Sequence, residues 1–388
     1  MKILIVLPRV PYPLEKGDKL RAYHQLRILS KRHQIALFCL SDSRLHPDAL
    51  EHLKAYCTEI HIHQLTAAGK VFNMLKACIS GKPLQAGYFY SASAHRQLLE
   101  LISRFRPDHL YCQLLRSAAY LVDVNIKKTI DYQDVFSIGL ARRMKRVSPL
   151  IRWVFRMEYK RMLRYERAMF DRFDHCTIIS EPDRDLIPHP DRARMVIVPN
   201  GVNFEYFSPQ TRAPVYDLLF TGNMGYPPNI DSAEYLVKEI LPLIHRIDPA
   251  VTLLIAGANP HKRVKALAGE MVTIAGWVPD MRDCYAQSRV FIAPMRIGTG
   301  LQNKLLEAMA MELPCITSEL ANAALMAAPG EEILVGTDTA SYAALTMQLL
   351  RDHDFAMKTG RSGSRYVRDH FDWEVCTRKL ENLITSDQ

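Results

Sequence analysis

The 388-residue sequence lacks most of the marks that would assign it to a compartment, a metal or a familiar nucleotide loop. None of its eight cysteines stands in a C-x-x-C pair, which argues against a zinc knuckle or a thioredoxin-like redox motif. Scattered through the chain and often set in apolar runs, as Cys39 and Cys176 are, they read as buried free thiols of a reducing compartment. No apolar run approaches the roughly 20 residues needed to cross a bilayer. The opening MKILIVLP reaches Arg9 too soon for a signal peptide and reads as a buried first strand. A Walker glycine–lysine loop is missing, and no complete G-x-G-x-x-G follows the first strand, which disfavours NAD. Two Asp-x-Asp matches, Asp183-Arg-Asp185 and Asp352-His-Asp354, fall in helix-like stretches and read as solvated charges, so no metal site is expected. There are no repeats or low-complexity tracts.

What is present is ordinary soluble composition, 48% hydrophobic and 23% charged, in a length that suits two domains. The formal charge of +9 is concentrated: residues 138–172 hold eleven Lys/Arg against three Asp/Glu. The rest is nearly neutral, which disfavours a general polyanion binder and nucleic acid as partner. The basic stretch reads as one or two helices broken near Pro149, with Ile151, Phe155, Glu158, Met162, Tyr165 and Met169 on one stripe. Either this stripe packs on a sheet and the bases are solvated, or Arg142–Arg172 meets anionic headgroups or a lipid-pyrophosphate acceptor.

Thirteen apolar runs alternate with helix-like stretches, from Ile3–Pro8 to Glu332–Gly336. Many are continuous Val/Ile/Leu runs, as in parallel strands buried on both faces. The pattern β-α-β-α, twice over, predicts two doubly wound domains. Pro209 and Pro214 mark a boundary, giving a first domain at 1–205, a linker at 206–214, a second domain at 215–365 and a last helical piece at 366–388 that packs on either domain.

The segment with most chemical content is APMRIGTGLQNKLLEAMAMELP, residues 293–314. A strand ends at Pro294, Gly298 and Gly300 permit a tight turn, and a helix begins near Gln302. The free amides of such a helix start form a phosphate site. Lys304 and Arg296 could neutralise a diphosphate, and Glu307 could accept from two ribose hydroxyls; a plain strand-to-helix turn with a surface lysine fits equally well. Gly17 opens the helix after the first strand, which on its residues alone reads as a helix start capped by Asp18.

This block closely resembles the donor signature of the glycosyltransferase family 4 / group 1 enzymes, and most of all the sugar transferases associated with exosortase (PEP-CTERM) systems and exopolysaccharide export. ILIVLPRVPYPLEKGDKLR, VPNGVNFEYFSP, FTGNMGYPPNIDS and IAGANP…IAGWVPDMRDCYAQS agree in order, so the resemblance spans nearly the whole chain. It implies the α/β GT-B fold, two Rossmann-like doubly wound domains facing a central cleft. It implies a nucleotide-diphosphate sugar as donor, a glycan or lipid-linked acceptor, retained anomeric configuration, and neither metal nor other cofactor. The donor would meet Gly17, Gly222, Asn223, Trp277, Val278, Arg282, Arg296, Gly298, Thr299, Gly300, Leu301, Gln302, Asn303, Lys304 and Glu307. Trp277 would sit where backbone reads the base, or else pack in the core.

The sequence departs from the family pattern in three places. Thr299 stands where the first Glu of a Glu-x7-Glu pair belongs. The loop Gly222–Pro228 carries no base, so a pyrophosphate would rely on Arg296, Lys304, Arg282 or helix amides. Asp131 aligns with the family's active-site His, making Asp131 and Asp134 the carboxylates expected to face the cleft and, with Lys304, the catalytic candidates. The expected setting is cytoplasmic, at the inner face of a membrane where the basic stretch reaches lipid. Competing readings are a non-hydrolysing sugar-nucleotide epimerase of the same architecture and a membrane-associated scaffold with a degenerate donor site.

Overall fold

A computed structural model describes residues 1–14, 16–144, 147–298 and 300–386. The chain forms two compact units, Met1–Pro199 with Thr377–Gln388, and Asn200–Cys376. In the first, the described strands are β1 (Lys2–Leu7), β2 (Gln34–Ser41), β3 (Glu59–Gln64), β4 (His109–Gln113), β5 (Lys128–Asp131), β6 (His175–Ile178) and β7 (Val196–Ile197). They form one parallel sheet in the order β3-β2-β1-β4-β5-β6-β7. Strand side chains alternate between faces. Accordingly Ile3, Ile5 and Leu7 join one hydrophobic cluster, and Leu4 and Val6 the other. Both faces are therefore covered, which is why β1 is apolar without interruption.

The second unit repeats the plan with β8 (Tyr216–Thr221), β9 (Leu253–Ala256), β10 (Val272–Gly276), β11 (Ser288–Ala293), β12 (Cys315–Ser318) and β13 (Leu334–Gly336). Its parallel sheet runs β10-β9-β8-β11-β12-β13. The order reverses between β8 and β11, so the loops leaving these two strands diverge and open a crevice at the carboxyl edge. All thirteen strands fall where the apolar runs predict them. The architecture is α/β with two Rossmann-like halves.

The unit boundaries differ from the reading at 206–214 and 366–388. The second unit begins at Asn200 because Val202 N–H donates to Phe371 O at 2.8 Å and a Cβ on Gly201 would lie 2.8 Å from the Trp373 ring. The Pro209–Pro214 segment is an exposed excursion that follows this contact. The helix Trp373–Thr385 starts in the second unit, and its later turns belong to the first. There Leu380 and Ile384 are buried with β1 and β2 side chains, and Glu381 binds Arg32 and, at 2.7 Å, His33.

The basic stretch is two helices, Phe136–Met144 and Pro149–Phe170; Lys145 and Arg146 lie outside the described residues. Its stripe is buried towards the C-terminal end, at Met162 and Met169, whereas Ile151 is exposed. All eight cysteines are unpaired, Cys78 exposed and most others buried. Among the described residues no helix is long and apolar enough to cross a membrane.

Candidate functional site

The crevice of the second unit is floored by backbone. Gly222, just after β8, has φ +147°, and Gly257, just after β9, has φ +141°. A Cβ on Gly257 would fall 1.7 Å from Gly222 O, so two loops touch main chain to main chain where a side chain cannot fit. Asn223 Oδ1 accepts from Gly225 N–H at 3.0 Å and turns the chain into the helix Pro227–Tyr235. After β11, Gly298 and Gly300 take φ +104° and +97°, and Leu301 and Gln302 lead into the helix Asn303–Ala310. Thr299 lies outside the described residues. Neither helix start is capped by a side chain of its N-cap residue, Tyr226 or Gln302; Gln302 Nε2 instead donates to Gly300 O at 3.1 Å. The helix Asn303–Ala310 leaves the Asn303 and Lys304 amides available to an anion; the other does not, since Pro227 and Pro228 have no N–H and Asn229 N–H donates to Tyr226 O at 3.0 Å. Asn303 Oδ1 accepts from Asn200 Nδ2 at 3.3 Å.

Lys304 and Glu307 lie one turn apart on the second helix. Lys304 is buried; its Nζ donates to Asn229 Oδ1 at 2.5 Å and lies 4.8 Å over the Phe220 ring. Burial pushes its pKa down to about 7, and the Glu307 charge only partly restores it. The Tyr285 hydroxyl donates to Glu307 Oε2 at 2.8 Å and reaches Thr221 Oγ1 at 3.1 Å. Burial pushes Glu307 up to about 7 in spite of that bond and of Lys304. Two ionisable groups are thus held poorly solvated beside glycine loops and one open helix start. Asn229 and Tyr285, which hold them, escaped the sequence reading. Each is a polar residue in an otherwise unremarkable stretch, and the only available signal was that both lie in motif segments, FTGNMGYPPNIDS and PDMRDCYAQS.

Other expected residues are engaged elsewhere. Arg296 makes a two-pronged contact with Asp231 at 3.1 and 3.2 Å and stacks 4.1 Å over the Tyr235 ring. Arg282 grips Asp280 and lies 4.0 Å over the Tyr206 ring. Both guanidinium groups already serve a carboxylate and a ring face, so a diphosphate would compete with Asp231 for Arg296 and with Asp280 for Arg282. Trp277 is 69% exposed, which overturns its core reading, and Val278 is partly buried beside it.

In the first unit, Asp131 ends β5 with no exposure at all. It receives Arg21 Nε at 2.6 Å, Arg21 Nη2 at 3.1 Å and Thr177 Oγ1 at 2.8 Å, with the Tyr111 hydroxyl at 3.2 Å. A carboxylate so enclosed has no lone pair left for an acceptor. The catalytic role expected of Asp131 is corrected to that of a buried structural anchor. Asp134 is exposed, and its Oδ1 accepts from Val135 N–H at 2.7 Å. Gly17 is the first residue of the helix Gly17–Leu29. Asp18 does not cap that helix; it pairs with Arg9 at 2.8 Å. Of the Asp-x-Asp residues, Asp183 is not solvated but buried, accepting from the Ser180 hydroxyl at 2.5 Å.

Residues 216–352 are similar to the family model described as glycosyl transferases group 1. An uncharacterized 44.6 kDa protein in the cps region of Klebsiella pneumoniae is 18% identical, with 96% of each chain covered. Sucrose-phosphate synthase from Thermosynechococcus elongatus superposes with a TM-score of 0.70 at 16% identity, covering 99% of this chain and 98% of that one. Anabaena HepE in complex with UDP gives 0.70 at 12%, each chain fully covered. The fold is that of the GT-B glycosyltransferases.

Proposed function

We propose that the chain moves a sugar from a nucleotide-diphosphate sugar to a glycan or lipid-linked acceptor. The observation that carries this reading is the Lys304–Glu307 pair, positioned by Asn229 and Tyr285 at the β8/β11 crevice and brought by burial to pKa values of about 7. A diphosphate set against the first-turn amides of Asn303–Ala310 would bring Lys304 the charge that its burial withholds, favouring the ammonium form. As the sugar–phosphate bond breaks, charge grows on the leaving diphosphate, and preformed donors act most strongly there. Glu307 accepts from the ribose hydroxyls. The exposed Trp277 offers a face to the base, with Val278 beside it. Retention follows if the acceptor attacks on the face the diphosphate leaves, the leaving phosphate taking the acceptor proton; neither metal nor enzymic base is then required. UDP in the HepE complex supports a uridine nucleotide as the first donor to try.

The setting we propose is exopolysaccharide assembly at the cytoplasmic face of a membrane, with which a relative in a cps region accords. The decisive measurement is calorimetric titration of UDP and GDP into wild type and Glu307→Ala. Binding that weakens in the variant supports the site, and unchanged affinity overturns it. Turnover of UDP-sugars only with an added acceptor supports transfer, and acceptor-free epimer formation overturns it in favour of an epimerase. EDTA should leave turnover intact.

A further inference from the structure

Soluble helices ordinarily turn their apolar stripe inward. The helix Ala67–Ile79 of the first unit does the reverse. Only Ala77 is fully buried along it, while Val71, Phe72, Leu75 and Ile79 are exposed, Phe72 by 68% and Ile79 by 90%. The spacing of these four sets them on one face of the helix. The helix is fastened from behind: Gly87 of the helix Leu84–Phe89 has no room for a Cβ, which would lie 2.5 Å from Ala77 Cβ, and Asn73 Nδ2 donates to Tyr90 O at 2.7 Å. The outward face therefore belongs to a well-anchored helix.

A second exposed apolar pair, Ile151 and Trp153 (64% exposed), opens the helix Pro149–Phe170. One bond joins that helix to the end of the first, and a second joins it to the start of the helix Leu84–Phe89 that follows. Arg161 Nη2 donates to Cys78 O at 2.9 Å, and the buried Glu158 accepts from Leu84 N–H at 2.7 Å. At 1.5 Å per residue, Trp153 lies about 12 Å along the helix axis from Arg161. The two segments share a further property. No Asp or Glu occurs between Glu59 and Glu100, nor between Asp134 and Glu158. Lys76, Lys82, Arg152 and Arg156 are all exposed on them, and the acid that ends the second run, Glu158, is buried.

We infer that Val71, Phe72, Leu75, Ile79 and Trp153, with their flanking bases, form a docking surface for an anionic lipid bilayer. Exposed apolar side chains ringed by Lys and Arg, with no acid among them, suit the boundary between acyl chains and negative headgroups. A second copy of this chain is the wrong occupant, because a two-fold contact would set the same bases against each other. Where the sequence reading placed the lipid contact on Arg142–Arg172 alone, the structure supplies its apolar half from a segment some seventy residues earlier. The inference does not rest on the sugar-transfer reading.

The test is co-sedimentation of the full chain with vesicles of phosphatidylcholine alone or mixed with phosphatidylglycerol, at low and high salt. Wild type should pellet with the anionic vesicles and be partly released by salt. The double variant F72D/I79D should lower vesicle binding by roughly 100-fold or more. R152Q/R156Q should weaken it less and flatten the salt dependence. Both variants should keep the wild-type thermal melt and nucleoside-diphosphate affinity, which shows that they fold. Wild type that stays in solution with anionic vesicles at low salt overturns the inference. So does binding unchanged in F72D/I79D, or a wild-type dimer in sedimentation velocity that F72D/I79D makes monomeric.

Discussion

The two sheets treat buried charge in opposite ways. Near the carboxyl edge of the first, Arg21 and Asp131 are both inaccessible and satisfy each other, with Thr177 and Pro199 O taking up further capacity. Near the same edge of the second, Lys304 is buried and Glu307 partly buried beside a glycine-floored crevice, each held by neutral partners and each displaced towards neutrality. A closed pair fixes a fold, because removing either member strands the other. A pair held off its preferred protonation states can respond to an incoming charge. Position at a strand end does not separate these cases; the partners do.

The largest effect should come from the closed pair. Asp131→Ala leaves Arg21 buried without its carboxylate, and breaking such a pair costs about 3–5 kcal/mol. Urea unfolding should show this loss. Undiminished stability with loss of turnover alone would return Asp131 to the chemistry. Next comes Lys304→Met. If Lys304 meets charge developing on a leaving diphosphate, kcat should fall by about 100- to 1,000-fold, as for removal of one preorganised donor, with a smaller change in ground-state binding. A raised KM with kcat unaltered would make it a binding group only.

The pH response sharpens the contrast. The folded pKa of Glu307 is raised from 4.5 to about 7. Between those values the folded state holds the extra proton, so Glu307 makes stability fall as pH rises through that window. Lys304 is lowered from 10.5 to about 7, so over that range the unfolded state holds the extra proton and stability rises with pH. Glu307→Gln should remove the first slope and Lys304→Met the second, read as differences from wild type in urea midpoints across pH. Because a diphosphate needs the ammonium form, nucleoside-diphosphate affinity should weaken above about pH 7, and Lys304→Met should abolish that dependence. The smallest effect belongs to Arg296→Gln. Its partner Asp231 is partly exposed and Glu239 is exposed, so the loss should stay within about 1 kcal/mol, with nucleotide affinity unaltered. A ten-fold loss of affinity would return Arg296 to the diphosphate.

The strands were legible because a parallel strand covered on both faces must be apolar throughout, and β1 and β2 are. The glycine turn and the helix bearing Lys304 and Glu307 were legible for a similar reason: positive φ selects glycine, and Pro314 stops the helix. Pairing over distance was not legible. Arg21 lies 110 residues before Asp131, so the carboxylate looked available. Arg296 finds Asp231 across 65 residues, so it looked like a free cation beside a phosphate turn. Tyr285 and Asn229 became visible only once the fold brought them to Glu307 and Lys304. The outward-facing helix was missed because an amphipathic period looks the same whichever way its stripe points.

The final helix carries a consequence for biosynthesis. Leu380 and Ile384 complete the hydrophobic cluster of β1 and β2, yet they are translated after the whole of Asn200–Cys376. Domains usually close in the order in which they leave the ribosome, at rates that make this interval on the order of ten seconds or more. The first unit must wait that long with part of its apolar surface uncovered, while the second can finish folding. A nascent chain stalled after Cys376 should therefore carry a protease-resistant second unit and a protease-sensitive first one, the reverse of the order of synthesis.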